Sequence, residues 1–365
     1  MPTWFFMIAS ARNEPVEPSV NGRLPGNRRL DRFRVLLRAG ATLMVTLTGL
    51  LLVTFALSRL SPIDPVLQRV GDHASSASYA EMRRTLGLDA PWPVQFQRYV
   101  ARLAHGDLGL SSSTGDPVGE DLRRVFPATL ELATLAMAVA TLIGLALALV
   151  GARRPGGMID ALVRVFSLIG NSVPIFWLGL LSLYLFYARL HWAGGPGRLD
   201  DAFEYTLDMA TGLVLVDTWR SGVPGAFANA VAHLSLPVLI LASYAIGNIT
   251  RLTRAALIGE SGKEYVTLAR AKGATELRVL LRHIFPNVLG MVLTVLALTY
   301  ANLLEGAVLI ETVFAWPGLG RYLTTALFAA DTPAILGGTL VIGVCFVVIN
   351  GVTDLLVRLL DPRAQ

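Results

Sequence analysis

Thr299, Asn302 and Glu305 interrupt the apolar run "VLTVLALTYANLLEGAVLI" at intervals of three residues. On a helix that spacing is read as one polar face, and an ionisable group at bilayer depth is costly unless it faces a bundle interior or a watery cavity. The chemistry open to such a face is binding by charge and hydrogen bond along a translocation pathway, or a hydrogen bond between helices. Asn171, Ser172 and Asn248 are weaker members of the same class, suited to packing as well as to a passage. Glu131, Glu311 and Asp354 fall near the ends of apolar runs, where a charge reaches the interface, and are expected to be structural.

Covalent chemistry finds no foothold. His73, His105, His191, His233 and His283 are dispersed, without the paired spacing that holds a metal. No G-x-S-x-G elbow occurs. Cys345 is the single cysteine, in an apolar run, which excludes an internal disulfide and a thiolate cluster. The one Gly-Lys pair, Gly262-Lys263, has Leu257 where a phosphate-binding loop needs its first glycine, and Glu264 after the lysine. The chain is therefore expected to be no enzyme and to carry no cofactor or metal of its own.

The elements that must position these residues are membrane helices. With 53% hydrophobic and 16% charged residues, the chain lies far from the roughly 25% charged of soluble domains. No basic stripe with interleaved aromatics marks a nucleic-acid partner. Six runs reach about the 20 residues a crossing needs: Ala39–Leu57, Ala128–Val150, Val165–Ala188, Val231–Thr250, Val288–Ile310 and Ala334–Val352. Arg23, Arg28, Arg29, Arg32, Arg34 and Arg38 precede the first run; Arg153, Arg154 and Arg164 follow the second; Arg358 and Arg363 close the chain. Short loops rich in arginine and lysine stay in the cytoplasm, so both termini are expected there. The second outer loop, with Asp200, Asp201, Glu204, Asp208 and Asp217, has the acidic surplus of a solvated loop. Pro174 and Pro237 fall inside spans three and four and are expected to kink them. The resulting division is a poorly ordered basic tail (1–34), a first span with a long external loop (35–126), a membrane core (127–357) and a cytoplasmic end (358–365).

Between spans four and five lies "EYVTLARAKGATELRVLLRHIFPN", with both lysines of the chain, Lys263 and Lys272, beside or within it. Leu277, Leu280, Leu281, Ile284 and Phe285 form one apolar helical face. Tyr265, Leu268, Ala269 and Lys272 form a second stripe ahead of it, and Gly273 supplies the break between two helices. Pro286 is expected to end the second helix before the fifth span. Such a segment (about 262–285) lies on anionic headgroups, hangs as a free loop, or docks a partner whose cleft approaches the small residues Ala269, Ala271, Gly273 and Ala274.

The segment resembles the docking motif of permease subunits of binding-protein-dependent ABC importers: E-A-A, three residues, glycine, nine residues, I-x-L-P. Aligned on Gly273, those positions read Thr267-Leu268-Ala269 and His283-Ile284-Phe285-Pro286, so the glycine, one alanine and the proline match while the acidic residue and the isoleucine do not. "YVTLARAKGATE" is closer to the form in the dipeptide, oligopeptide and nickel branch. "PATLELA", "NSVPIFWLGLL", "HLSLPVLILASYAIGNITRLTRAALI", "GAVLIETVFAWPGLGRYL" and "DLLVRLLDPR" resemble that branch in the same order. The N-terminal tail and "ADTPAI" depart from it.

The resemblance implies an all-α integral membrane protein: six transmembrane helices in a type I ABC importer permease-like bundle, with a cytoplasmic coupling helix between helices four and five. It implies two ATP-binding cassette ATPase subunits or domains that hold the ATP and Mg, a second and paralogous permease, and a periplasmic or lipid-anchored solute-binding protein, in the lipid of the bacterial cytoplasmic (inner) membrane. Coupling is carried over to Tyr265, Leu268, Ala269, Arg270, Ala271, Lys272, Gly273, Ala274 and Pro286, with Arg270 and Lys272 as rim charge. Di- and oligopeptides lead as solute, with nickel, glutathione and short oligosaccharides as alternatives. A proton-coupled secondary transporter with Glu305 as relay, and a membrane-embedded enzyme, are the competing classes.

Overall fold

The computed structural model describes residues 28–60, 64, 66–71 and 73–360. The tail before Arg28 and the terminal Arg363 lie outside the described residues. The chain divides into a small unit, Met1–Met44, and a large one, Val45–Gln365, which holds every site considered below. Among the described residues the regular structure is helical, apart from one isolated bridge between Leu110 and Pro117.

Helix α1 (Arg28–Leu60) is followed by a single helical turn, Leu67–Val70, and by the short helices α2 (Ser76–Thr85) and α3 (Trp92–Ala104). Buried Gln95 fixes the start of α3 by donating to the carbonyls of Leu88 (3.0 Å) and Ala90 (2.7 Å). The long α4 (Val118–Arg153) comes next, then α5 (Met158–Ser172) and α6 (Ile175–Ser182), which continues as a π-helix through Leu183–Arg189. A loop carrying α7 (Val214–Ser221) leads into α8 (Ala226–Ser261). Then α9 (Glu264–Ala271) and α10 (Glu276–Val279) form a hairpin, and a π-helical stretch, Leu280–Ile284, joins α10 to α11 (Phe285–Val313). Helices α12 (Leu319–Phe328) and α13 (Thr332–Leu360) close the fold.

Four stretches are long and apolar enough to cross a bilayer: Val118–Arg153, Ala226–Ser261, Glu276–Val313 and Thr332–Thr353. They contain the expected second, fourth, fifth and sixth runs. The apolar part of the first, Met44–Leu57, is shorter, and the third is not one helix. Where a kink was expected at Pro174, the chain breaks. Val173 is extended (φ −101°, ψ 130°), because the ring of a following proline excludes the α region, and α6 restarts after Pro174. Pro237, by contrast, stays inside an unbroken α8 and is buried.

The core is a seam of small residues. Ala136, Ala140, Gly144, Ala148 and Ala152 recur every fourth position of α4 and are buried, largely against α8. A Cβ at Gly144 would meet Ile249 at 2.9 Å, and Thr250 Oγ1 donates to the Gly144 carbonyl at 3.2 Å. Lipid offers no hydrophobic drive between helices, so close approach and such bonds hold them. Large apolar side chains instead point outward, among them Leu142, Phe166, Leu168, Trp177 and Leu180. In water a surface of that kind would aggregate; it fits the acyl chains of a bilayer, and the chain is an integral membrane protein.

Candidate functional site

At one end of the bundle, α9 and α10 are tied down before they present anything. Val266 and Ala269 are buried in a cluster with Ala148, Leu257, Val279 and Ile284. The Tyr265 hydroxyl donates to Glu260 Oε1 (2.9 Å) and lies 3.4 Å from the His283 carbonyl. Arg270 Nε pairs with Glu276 Oε1 (3.0 Å) across the turn. Gly273, at φ 80°, makes that turn, donating its N–H to the Arg270 carbonyl (2.9 Å). A Cβ there would meet nothing within 4 Å, so the space beside it is open. Leu268, Arg270, Ala271, Lys272 and Gly273 are exposed, whereas Ala269 is buried and Tyr265 and Ala274 are half-buried. Eight of the nine coupling candidates thus split into anchors and an outward surface, and the ninth, Pro286, is exposed.

Two expectations about this segment are corrected. Leu277 and Leu281 are exposed while Leu280 and Ile284 are buried, so the five apolar residues do not share one inward face. Nor does Pro286 end a helix: it is the second residue of α11, and the π-helical stretch before it joins that helix to α10, so the helical run extends from Glu276 to Val313. Nearby, Arg254 Nη2 donates to Asp160 Oδ2 (2.7 Å), and the Gly156 N–H donates to the same oxygen (2.9 Å). Those bonds, the one to Arg254 foremost, hold the Asp160 carboxyl below the usual carboxylate range.

The break at Val173–Pro174 opens onto a cavity of about 500 Å³. Ser172, Tyr244, Asn302 and Glu305 line it together with Leu178 and Leu241. Glu305 and Asn302 are exposed to it, and Ser172 donates its hydroxyl to the Leu168 carbonyl (2.8 Å). Thr299 does not belong here. It is fully buried and receives a hydrogen bond from Asn248 Nδ2 (3.3 Å). Three residues turn a helix by about 300°, so Thr299 and Glu305 point roughly 120° apart. Thr299 and Asn248 therefore tie α11 to α8, and the side chain of Asn171 lies outside the described residues.

At the opposite end of α11 the buried carboxylates are latches, not charges reaching for an interface. Glu311 is fully buried and accepts from Thr129 Oγ1 (2.6 Å) and from the N–H groups of Gly320 (2.6 Å) and Arg321 (3.1 Å). It thereby satisfies donors that the first turn of α12 leaves free. Thr129 Oγ1 in turn accepts from the Leu319 N–H (2.7 Å), and Trp316 Nε1 donates to the Ala128 carbonyl (3.1 Å). A side chain at Gly320 would collide with the α11 backbone at Val308. Glu131 caps α7 the same way, accepting from the N–H of Val214 (2.8 Å) and Leu215 (2.9 Å) with Arg198 3.5 Å away. Burial lowers the pKa of Arg198, and Glu131 opposes that shift. The acidic loop is packed in part: Arg198, Leu199 and Asp217 are buried, while Asp200, Asp201, Glu204 and Asp208 are exposed, as expected of a solvated loop. Asp331, in the departing "ADTPAI", is also buried and accepts from Ser111 Oγ (2.6 Å) and the Ser113 N–H (2.9 Å). The side chain of Asp354 lies outside the described residues.

Comparison with known proteins bears on all of these parts. Residues 140–365 match the model of the family described as "Binding-protein-dependent transport system inner membrane component". Residues 32–133 match that of the N-terminal part of such membrane components. The chain is 44% identical over 321 residues to the probable D,D-dipeptide transport system permease protein DdpB of Escherichia coli, covering 88% of this chain and 94% of that one. It is 41% identical to the di/tripeptide transport system permease protein DppB of Pseudomonas aeruginosa, over 88% and 96% of the two chains. The dipeptide transport system permease protein DppB of Escherichia coli is 37% identical, over 91% and 99%. A solved inward-facing form of the MetNI methionine ABC transporter covers 64% of this chain and 93% of its own at 18% identity, with a TM-score of 0.47, too low to fix the fold.

Proposed function

This chain belongs to the family of inner membrane components of binding-protein-dependent transport systems, and from that membership we propose that it is the pore-forming permease subunit of an ATP-driven importer of short peptides. The observation that carries the reading is identity of 37–44% across nearly the whole length of permeases named for dipeptide and tripeptide transport. The proposed bundle is of the type I importer kind: six crossings in the bacterial cytoplasmic membrane, both termini and the α9–α10 hairpin in the cytoplasm. Two ATP-binding cassette subunits supply the ATP and Mg²⁺ chemistry, a paralogous permease completes the pore, and an external solute-binding protein delivers the peptide.

The hairpin is suited to that task because one face is fixed and the other is free. Leu268, Ala271 and Lys272 present an outward ridge ending at the open space beside Gly273. Val266, Ala269 and Tyr265 hold the ridge to α8 and to the continuous helix leading into α11. A groove that grips the ridge therefore drags α11. Gly273→Val is expected to abolish uptake with membrane insertion intact, since valine is strained at positive φ and its bulk fills the approach. Wild-type uptake by that variant overturns the docking role. Uptake that survives a proton uncoupler and stops on ATP depletion separates the importer from a secondary transporter.

A further inference from the structure

We propose that Glu305 is the site at which this permease receives the α-ammonium group of the passing peptide; the inference rests on the importer reading above and names the chemistry of its pathway. Among the described residues Glu305 is the one carboxylate lining the cavity, and no lysine, arginine or histidine lines it. Among the described residues Glu305 has no hydrogen bond and no ion pair, although buried or half-buried carboxylates elsewhere in the fold, such as Glu131 and Asp160, are each met by N–H donors and by an arginine. An unpartnered carboxylate on a membrane helix is tolerated where water or a cation reaches it. A transiting peptide supplies the cation: each short peptide with a free amino end carries one α-ammonium whatever its side chains.

The rest of the wall fits the same ligand. Asn302 stands one turn from Glu305 and offers an amide to the peptide backbone, and Tyr244 lines the same cavity. Leu178 and Leu241 are apolar and give side chains no specific partner. At about 500 Å³ the space is in the range of small-molecule sites. With no cation in this wall, the carboxylate end of the peptide is left to water or to the other half of the pore. Selection here is thus for the amino end and indifferent to side chains.

The test uses the whole complex of both permeases, both ATPases and the binding protein in proteoliposomes, with alanylalanine as the solute at saturating binding protein. Glu305→Gln is isosteric and uncharged. The expected result is at least a tenfold fall in maximal uptake, with assembly and binding-protein-stimulated ATP hydrolysis retained, and partial recovery in Glu305→Asp. Uptake by Glu305→Gln at the wild-type rate overturns the proposal. So does a variant complex that falls apart, which would make Glu305 an anchor between the two permeases. Both results leave the importer reading in place; that reading fails only if the wild-type complex shows no ATP-dependent uptake of the peptide.

Discussion

Two glutamates stand six residues apart on α11, and nothing in their chemistry separates them. Glu311 is sealed from solvent and accepts from one hydroxyl and two backbone N–H groups. Glu305, one and two-thirds turns earlier, faces an open cavity with no partner among the described residues. The difference lies in what each side of the helix meets. Glu311 meets the first turn of α12, a ready set of unpaired donors. Glu305 meets the gap left where the third membrane segment breaks at Val173–Pro174. One carboxylate has been used to close the fold, and the other has been left for something that is not part of it.

That contrast is sharpest in stability. Glu311→Ala removes the acceptor for three groups at once, at about 1–3 kcal/mol for each buried one left unpaired. A collapse of the folded yield in detergent is the expected outcome, with Glu311→Gln, which keeps one acceptor oxygen, less affected; a normal melting profile for the alanine variant breaks the comparison. Asp160 offers an intermediate case, a carboxylate paired with Arg254 near the hairpin. Its pKa is lowered, so its contribution is complete above the ordinary carboxylate range and lost as pH falls through the lowered value. The difference in melting temperature between wild type and Asp160→Asn should therefore shrink on acidification. Thr299→Val deletes the bond from Asn248, and membrane hydrogen bonds of that kind average about 0.6 kcal/mol. Its uptake should stay close to wild type, since Thr299 does not line the cavity. Smallest of all is Glu305→Gln, expected to leave the melting temperature unchanged while uptake falls.

Much of this was legible in residue order, and the failures share a cause. The apolar runs behind α4, α8, α11 and α13 announce themselves by length, and the Gly273 turn by a glycine between two helical patterns. Pro174 and Pro237 carry the same local signal, yet one breaks its helix and the other does not. Tertiary packing decides: α6 restarts where Gly179 lets it close on the end of α11, 3.2 Å from Val313 for an added Cβ. Thr299 and Glu305 part because steps of three look like one face over a single turn and cease to be one over two. The latches at Glu131, Glu311 and Asp331 are invisible in the sequence because each accepts from backbone N–H groups of another element, nine residues on for Glu311 and far more distant for the other two, which no side-chain pattern displays. The four-residue alternation of alanine and glycine along α4 was a readable signal for the central seam.

The helical run from Glu276 to Val313 continues through the π-helical stretch and Pro286 without a break. With a rise of about 1.5 Å per residue, Glu276 and Glu305 are separated by ~43 Å along it. A tilt of about five degrees imposed at the Gly273 end would then sweep the Glu305 carboxylate sideways by roughly 4 Å, more than a hydrogen-bond length. A small rocking motion at one tip is enough to let go of an ammonium group held at the other.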